Sequence, residues 1–367
     1  MSNSYFYSRR RFLKELSLGT AALSPAVSTL AAYTAPQKKL GVALVGLGSY
    51  STYQLAPALH QTQHCRLAGI VTGTTAKERL WAEKYNIPRS NIYSYDRFDE
   101  IAHNKDIDIV YIVLPVALHK EFTIRAARAG KHVICEKPMA PSVRDCDDMI
   151  AACQKANRLL AIGYRLQYEP YNCEMVRLAR QHVYGRVQEI ECGHGVRWSD
   201  DSDAWRLRRH MAGGGCLMDM GIYAVQSARL ITGEEPLYVT ATEEKTRPDI
   251  FSEVEETIQF TLEFPGGVIA KGKSSYNKNM NYLKVKAEKG WFELSEAYRY
   301  GGMVGSTSDG SIQLDAHENQ QALQMDDFAQ CILQNRESCV SGETGRHDIK
   351  VVEAIYRSVA SGKREKV

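Results

Sequence analysis

From Leu40 to Gly163 the chain alternates short β-rich runs with amphipathic helical stretches, and this rhythm restricts the fold more than any other feature. Strands are predicted at 40–45, 66–72, 109–114, 131–135 and 159–162, with helices around 54–60, 76–85, 120–129 and 145–156. Strand-helix alternation at this spacing builds a parallel sheet covered on both faces, a doubly wound α/β domain. After Gly163 the pattern changes. A helix is predicted at 170–181, then strands at 187–192, 237–242, 257–264, 267–273 and 282–287 that alternate apolar and polar residues and turn at sites such as Pro265-Gly266-Gly267. That alternation belongs to a mostly antiparallel sheet with one wet face, so the second half reads as an α+β domain with an open-faced sheet. The predicted division is a leader over 1–35, a dinucleotide domain over 36–162, a substrate and oligomerisation domain over 163–345, and a closing helix and tail over 346–367. The helix is placed at 347–361, and Lys363-Arg364-Glu365-Lys366 reads as a solvated end.

A length of 367 residues suits two domains with separate cores. Balanced charge, 46 basic against 43 acidic residues, leaves no basic stripe for a nucleic acid, and no nucleic-acid partner is expected. Beyond the leader no apolar run reaches the roughly 18 residues needed to span a bilayer, so no membrane partner is expected of the mature chain. The leader carries Ser8-Arg9-Arg10-Arg11-Phe12-Leu13-Lys14, then an apolar stretch over 16–32 interrupted by Gly19 and Pro25. Thr29 and Ala31 are small and permit cleavage after Ala31. These features read as a twin-arginine signal that sends a folded protein to the periplasm, rather than as a basic tail. Nine cysteines without short paired spacings suggest neither a disulfide framework nor a metal site. Cys135, Cys153 and Cys192 read as buried small hydrophobes.

Gly46-Leu47-Gly48-Ser49-Tyr50-Ser51 follows a predicted strand and opens a helix. Gly46 can make the tight turn and Gly48 can let a pyrophosphate approach the helix N-terminus, while Ser51 stands where a third glycine is usual. The next strand ends Ile70-Val71-Thr72-Gly73-Thr74-Thr75-Ala76-Lys77, without the carboxylate that an NAD site would carry. Hydroxyls and a cation suit a 2′-phosphate, so NADP is the expected cofactor, although Thr74 or Thr75 could simply cap a helix. Glu136-Lys137-Pro138 closes another strand at the ligand-binding edge of such a sheet. The triple glycine Gly213-Gly214-Gly215 feeds a helix that is predicted to stop at Gly233 and sets Asp219 and Tyr223 on one face. A tyrosine beside a cation can take and return the proton of a sugar hydroxyl, and a carboxylate can orient that hydroxyl. The same pair could equally make a domain contact.

The chain resembles the glucose-fructose oxidoreductase, inositol dehydrogenase and rhizopine-catabolism (Gfo/Idh/MocA) family from about residue 40 to its end. The markers are Gly46 to Tyr50, Ala129 to Val133, Glu136 to Ala140, Gly163-Tyr164-Arg165, Trp205 to Arg209, Gly213 to Tyr223 and Gly233 to Pro236. This resemblance implies a Rossmann domain followed by an open-faced sheet domain, with Lys137, Asp219 and Tyr223 as catalytic residues of a sugar pocket. It implies that Arg165 joins them in holding substrate. For the cofactor it implies Gly46, Leu47, Gly48, Ser49, Tyr50, Thr72, Lys77, Tyr95, Leu114, Pro115, His119, Glu136, Lys137, Arg165, Trp205 and Arg206. Tyr223, where many members carry histidine, looks like the glucose-fructose subgroup. The expectation is an enzyme that oxidises an aldose at C1 to a lactone and passes the hydride to a second sugar or carbonyl compound. A periplasm offers no useful free nicotinamide, so NADP is expected to stay tightly bound and to be recycled. The alternatives are a sugar dehydrogenase or reductase with exchangeable cofactor and a non-catalytic dinucleotide sensor. The open sheet face leads us to expect a homodimer or homotetramer.

Overall fold

The computed structural model describes residues 38–367 apart from 200, 202, 203 and 315–318, so the predicted signal segment lies outside the described residues. The first sheet comprises β1 (Leu40–Val45), β2 (Cys65–Val71), β3 (Ile92–Tyr93), β4 (Ile109–Ile112), β5 (His132–Cys135) and β6 (Leu160–Ile162). All six strands run parallel in the order β3-β2-β1-β4-β5-β6. Val42 to Val45 and Ile109 to Ile112 are fully buried, as a sheet with helices on both faces requires. Strand order reverses between β1 and β4, and the connections leaving those two strands diverge. A crevice therefore opens at their carboxyl ends.

The second sheet comprises β7 (Val187–Gly195), β8 (Tyr238–Glu244), β9 (Thr257–Glu263), β10 (Ile269–Ser275), β11 (Met280–Ala287), β12 (Gly290–Ser295), β13 (Val304–Thr307), β14 (Gly310–Ile312) and β15 (Glu365–Lys366). Its order is β14-β13-β12-β11-β7-β10-β9-β8-β15, antiparallel except where β7 meets β10. One face, including Val239, Phe260, Leu262, Val285 and Leu294, is buried beneath helices Pro170–Arg180, Ile222–Thr232 and Gly342–Ser361. The cross-strand partners Phe260 and Gly272 show how tightly it packs: a Cβ on Gly272 would lie 2.0 Å from the Phe260 ring. The other face presents Glu191, Lys271, Lys284 and Lys286.

The sequence reading does not mark β3, β12, β13 or β14, and three further features go beyond it. The tail is solvated as expected but not free: Glu365 and Lys366 pair with Val239 and Tyr238 of β8, and Arg364 makes a two-pronged bond at 2.7 Å to Glu263. The closing helix begins at Gly342, so the expected boundary at 345/346 falls inside it. A side chain on Gly345 would lie 2.9 Å from Ile162, so this first turn packs directly on the parallel sheet. Further along, Glu353 accepts the Val143 N–H at 2.8 Å, at the start of helix Val143–Lys155, and Ser358 accepts the Ala241 N–H of β8 at 2.9 Å. The third feature is helix Gln320–Gln334, which also returns to the parallel sheet: Asp326 accepts the N–H groups of Gln63 and His64. Its buried side joins Ala322, Met325, Phe328 and Ala329, spaced as one helix face, to Gln320, Gln321 and Gln324.

Helices Ile222–Thr232 and Gly342–Ser361 are locked together by Arg229 and the fully buried Asp348. Arg229 also holds Glu235 through two bonds, so loss of Asp348 leaves one buried edge of the guanidinium without its partner. Asp348→Ala should therefore cost about 3 kcal/mol of stability, measured by chemical denaturation; an unchanged midpoint would contradict this packing account.

Candidate functional site

β1 ends against its neighbours through glycine. Gly46 has φ +91°, its N–H donates to the Val71 carbonyl at 3.0 Å, and a Cβ there would lie 2.4 Å from the Val113 oxygen. A Cβ on Gly48 would meet nothing within 4 Å, so the space in front of the turn is open. Ser51 is fully buried and donates to the Gly46 carbonyl at 2.6 Å, which explains why a small residue serves in place of a third glycine. Ser51–Leu55 winds as a wide π-type turn that continues into helix Ala56–Leu59. An open space before a helix start, faced by Leu47, Gly48, Ser49 and Tyr50, fits the pyrophosphate of a dinucleotide.

Lys77 and Tyr95 line the same cleft, at the end expected to carry a 2′-phosphate. Thr72 sits behind it, 3% exposed, with its hydroxyl accepting the Thr74 N–H at 3.3 Å. It shapes the loop that presents Lys77. His119 is likewise behind the wall. Its Nε2 lies 2.9 Å from the Leu114 carbonyl and its Nδ1 3.0 Å from that of Pro138, so it clasps the loops that follow β4 and β5, and burial pushes its pKa down. Leu114, Pro115, Trp205 and Arg206 face the cleft.

The reactive end lies beyond β5. Lys137 Nζ donates to the Asp219 carbonyl at 2.6 Å, lies 3.7 Å from that residue's carboxylate, and sits 4.7 Å from the centre of the Tyr223 ring. Arg206 Nε stands 3.3 Å from Asp219 Oδ2, and Tyr276 donates to the same oxygen at 3.1 Å. Burial opposes ionisation of Asp219. Lys137, Arg206 and the Tyr276 hydrogen bond outweigh it and hold the carboxyl below its ordinary range. Tyr223 is 6% exposed, with its ring stacked on Tyr298 at 5.9 Å and the Arg165 guanidinium 5.3 Å from its centre. His194 lies 5.6 Å from Tyr223, and burial, with Lys137 nearby, pushes its pKa down to about 4. The imidazole is thus neutral near pH 7.

The glycines explain how Asp219 and Tyr223 reach this position. A Cβ on Gly214 would collide with the Tyr356 hydroxyl at 1.9 Å, and one on Gly215 with the Glu255 carbonyl at 2.3 Å. Glu255 Oε1 accepts the N–H groups of Gly215 and Leu217 and the Tyr356 hydroxyl, fixing the start of the π-type turn Leu217–Gly221. That turn carries Asp219 and runs into Ile222–Thr232, which carries Tyr223 and stops at Gly233, φ +67°.

Glu136 closes the inner wall. Tyr111 donates to its Oε1 at 2.7 Å, the Lys137 N–H to its Oε2 at 3.2 Å, and a Cβ on Gly163 would lie 2.4 Å from Oε1. Burial pushes its pKa up to about 7 despite those bonds. Arg165, 3% exposed, donates to the carbonyls of Tyr298 and Arg299 and to the Gln320 side chain.

The cleft has a volume of about 1490 Å³, beyond the roughly 300–1,000 Å³ of most single-ligand pockets. Besides the residues expected from sequence, His194, Tyr276, Asn281, Tyr298 and Tyr300 line it. They come from β7, the segment after β10, β11 and the loop after β12, and only strand pairing brings them to the glycine turn.

Residues 40–164 match the family described as "Oxidoreductase family, NAD-binding Rossmann fold", and residues 174–293 match the GFO/IDH/MocA C-terminal domain. The crystal structure of aldose-aldose oxidoreductase from Caulobacter crescentus, complexed with glycerol, is 44% identical with a TM-score of 0.88, covering 90% of this chain and 100% of that one. D-xylose 1-dehydrogenase [NADP(+)] from Haloarcula marismortui is 28% identical over 89% of this chain and 92% of its own. Apo scyllo-inositol dehydrogenase from Lactobacillus casei, 20% identical with a TM-score of 0.74 over 90% of this chain and 98% of that one, shares the fold.

The raised pKa of Glu136 gives a pH test. Its folded value, about 7, exceeds the ordinary 4.5, so its contribution to stability is full below about pH 4.5 and is lost as pH rises through about 7. Glu136→Gln should flatten that loss, worth up to about 3 kcal/mol, in denaturation curves recorded across this range. An unchanged pH dependence would mean that Glu136 does not titrate there.

Proposed function

The chain belongs to the GFO/IDH/MocA oxidoreductase family, and from that premise we propose that it is an NADP-dependent sugar oxidoreductase of the glucose-fructose type. On this reading it oxidises an aldose at C1 and delivers the hydride to a second sugar or carbonyl compound. The observation that carries it is the convergence of Lys137, Asp219 and Tyr223 beside the glycine turn. The likeness to an aldose-aldose oxidoreductase supports it, and the Lys77 end of the cleft supports NADP.

NADP, when bound, supplies the nicotinamide carbon that accepts the hydride and gives it up again. Tyr223 acts as a phenolate whose charge the nearby Lys137 ammonium stabilises; its Oη takes the proton of the C1 hydroxyl and becomes the phenol that later returns it. Asp219, kept ionised by Lys137 and Arg206, accepts a hydrogen bond from the sugar and orients it. Arg165 stiffens the wall behind Tyr223 and completes the substrate side. Loss of the C1 hydride and the hydroxyl proton leaves a lactone. The second carbonyl compound then takes hydride at carbon and the Tyr223 proton at oxygen in the same cleft, so the cycle closes.

We further propose that NADP stays bound throughout, that the twin-arginine segment exports the loaded protein to the periplasm, and that it works there as a homo-oligomer. Sugars are its small-molecule partners on this reading. A second reading, a dehydrogenase with exchangeable NADP, is suggested by the name of the Haloarcula marismortui relative.

The purified protein should oxidise glucose steadily only with an acceptor such as fructose. Sustained turnover on added free NADP alone would favour the second reading. Tyr223→Phe should slow hydride transfer at least about a hundredfold while nucleotide stays bound. Unchanged single-turnover rates would remove Tyr223 from its role.

A further inference from the structure

Tyr300 is a large aromatic residue left 54% exposed on the wall of the cleft. It sits on the loop between β12 and β13, which leaves the sheet at Glu296, φ +56°, and returns through Gly302, φ +74°. The base of that loop is fastened: Asn281 accepts the N–H groups of Glu296 and Tyr298, and Arg165 binds the carbonyls of Tyr298 and Arg299. The tip is not. A Cβ on Gly301 or Gly302 would meet nothing within 4 Å.

The Tyr300 ring finds its support across the cleft. The Arg165 guanidinium lies 4.3 Å from its centre, and the Tyr50 ring, on the glycine turn, lies 6.1 Å away at a tilt of 31°. The two tyrosines therefore bridge the parallel sheet and the open-faced sheet beside the space left open at Gly48, with Arg165 against the Tyr300 ring. Aromatic pairs and cation–π contacts hold such a bridge only moderately, so it can part and re-form. A ring with one face on Arg165 and the other half-exposed gains cover when a ligand fills the cleft.

We propose that Tyr300 is a cofactor-retention residue: with Tyr50 it closes the cleft over the dinucleotide beside the glycine turn and slows its release. This inference rests on the retained-NADP reading above. It assigns that retention to a residue of the second sheet rather than to the glycine turn alone.

The test uses the full chain loaded with NADPH, desalted, and chased with excess NADP while the fluorescence of the bound reduced nucleotide is followed. Tyr300→Ala should release nucleotide about tenfold or more faster than the wild type, and Tyr300→Phe, which keeps the ring, should stay close to it. If the wild type holds nucleotide and Tyr300→Ala holds it equally long, the inference is overturned while the retained-NADP reading stands; a raised KM for the sugar in that variant would make Tyr300 a substrate platform instead. A wild type that itself loses nucleotide on desalting overturns that reading and this inference together.

Discussion

One contact joins the two halves of the chemistry: the Lys137 ammonium, at the carboxyl end of the parallel sheet, donates to the Asp219 carbonyl on a helix that lies against the other sheet. Residues 82 positions apart are fastened there at 2.6 Å. The contact sets the distance between the glycine turn and Tyr223. It also places the ammonium where it serves both the Asp219 carboxylate and the tyrosine ring. The supports behind it are stiff: Glu255 fixes the start of the Asp219 turn, and His119 holds the loop carrying Lys137 to the end of β4.

Around this contact the cleft separates its charges by environment. Asp219 meets two cations and a phenol and stays ionised. Glu136, immediately before the same lysine, is buried deeply enough that its proton leaves only near neutrality. His194 goes the other way and stays neutral. Tyr223 thus stands among one group held ionised, one held neutral and one that titrates near neutrality.

Much of this was legible in the sequence, and the part that was not has a physical reason. The parallel sheet read well because its strands are continuous apolar runs and its helices fall between them, so each element announces itself locally. Gly46 and Gly48 read as a cradle because a left-handed turn and an open approach need glycine. Asp219 and Tyr223 could be paired because a helical turn relates them. Thr72 and His119 illustrate the limit: both sit at positions matched to the cofactor cleft, yet both side chains point behind its wall and act on the backbone. Tyr276 and Tyr300 show the converse. Nothing local distinguishes them from other tyrosines, and only the order of the antiparallel strands delivers them to the cleft. The pairing of the tail with β8, and the anchoring of helix Gln320–Gln334 through Gln320 and Gln324, escaped for a similar reason, since both depend on partners supplied by distant segments.

The central claim is that one cleft takes a hydride from a sugar and hands it on without releasing the nucleotide. Its most direct test is a single turnover on desalted protein with no nucleotide added, following the near-ultraviolet absorbance of reduced nicotinamide. The account predicts a rise equal to the bound nucleotide when glucose is mixed in, and a return to the starting level when fructose follows. Absence of the rise, or a rise that appears only once free NADP is supplied, would contradict it.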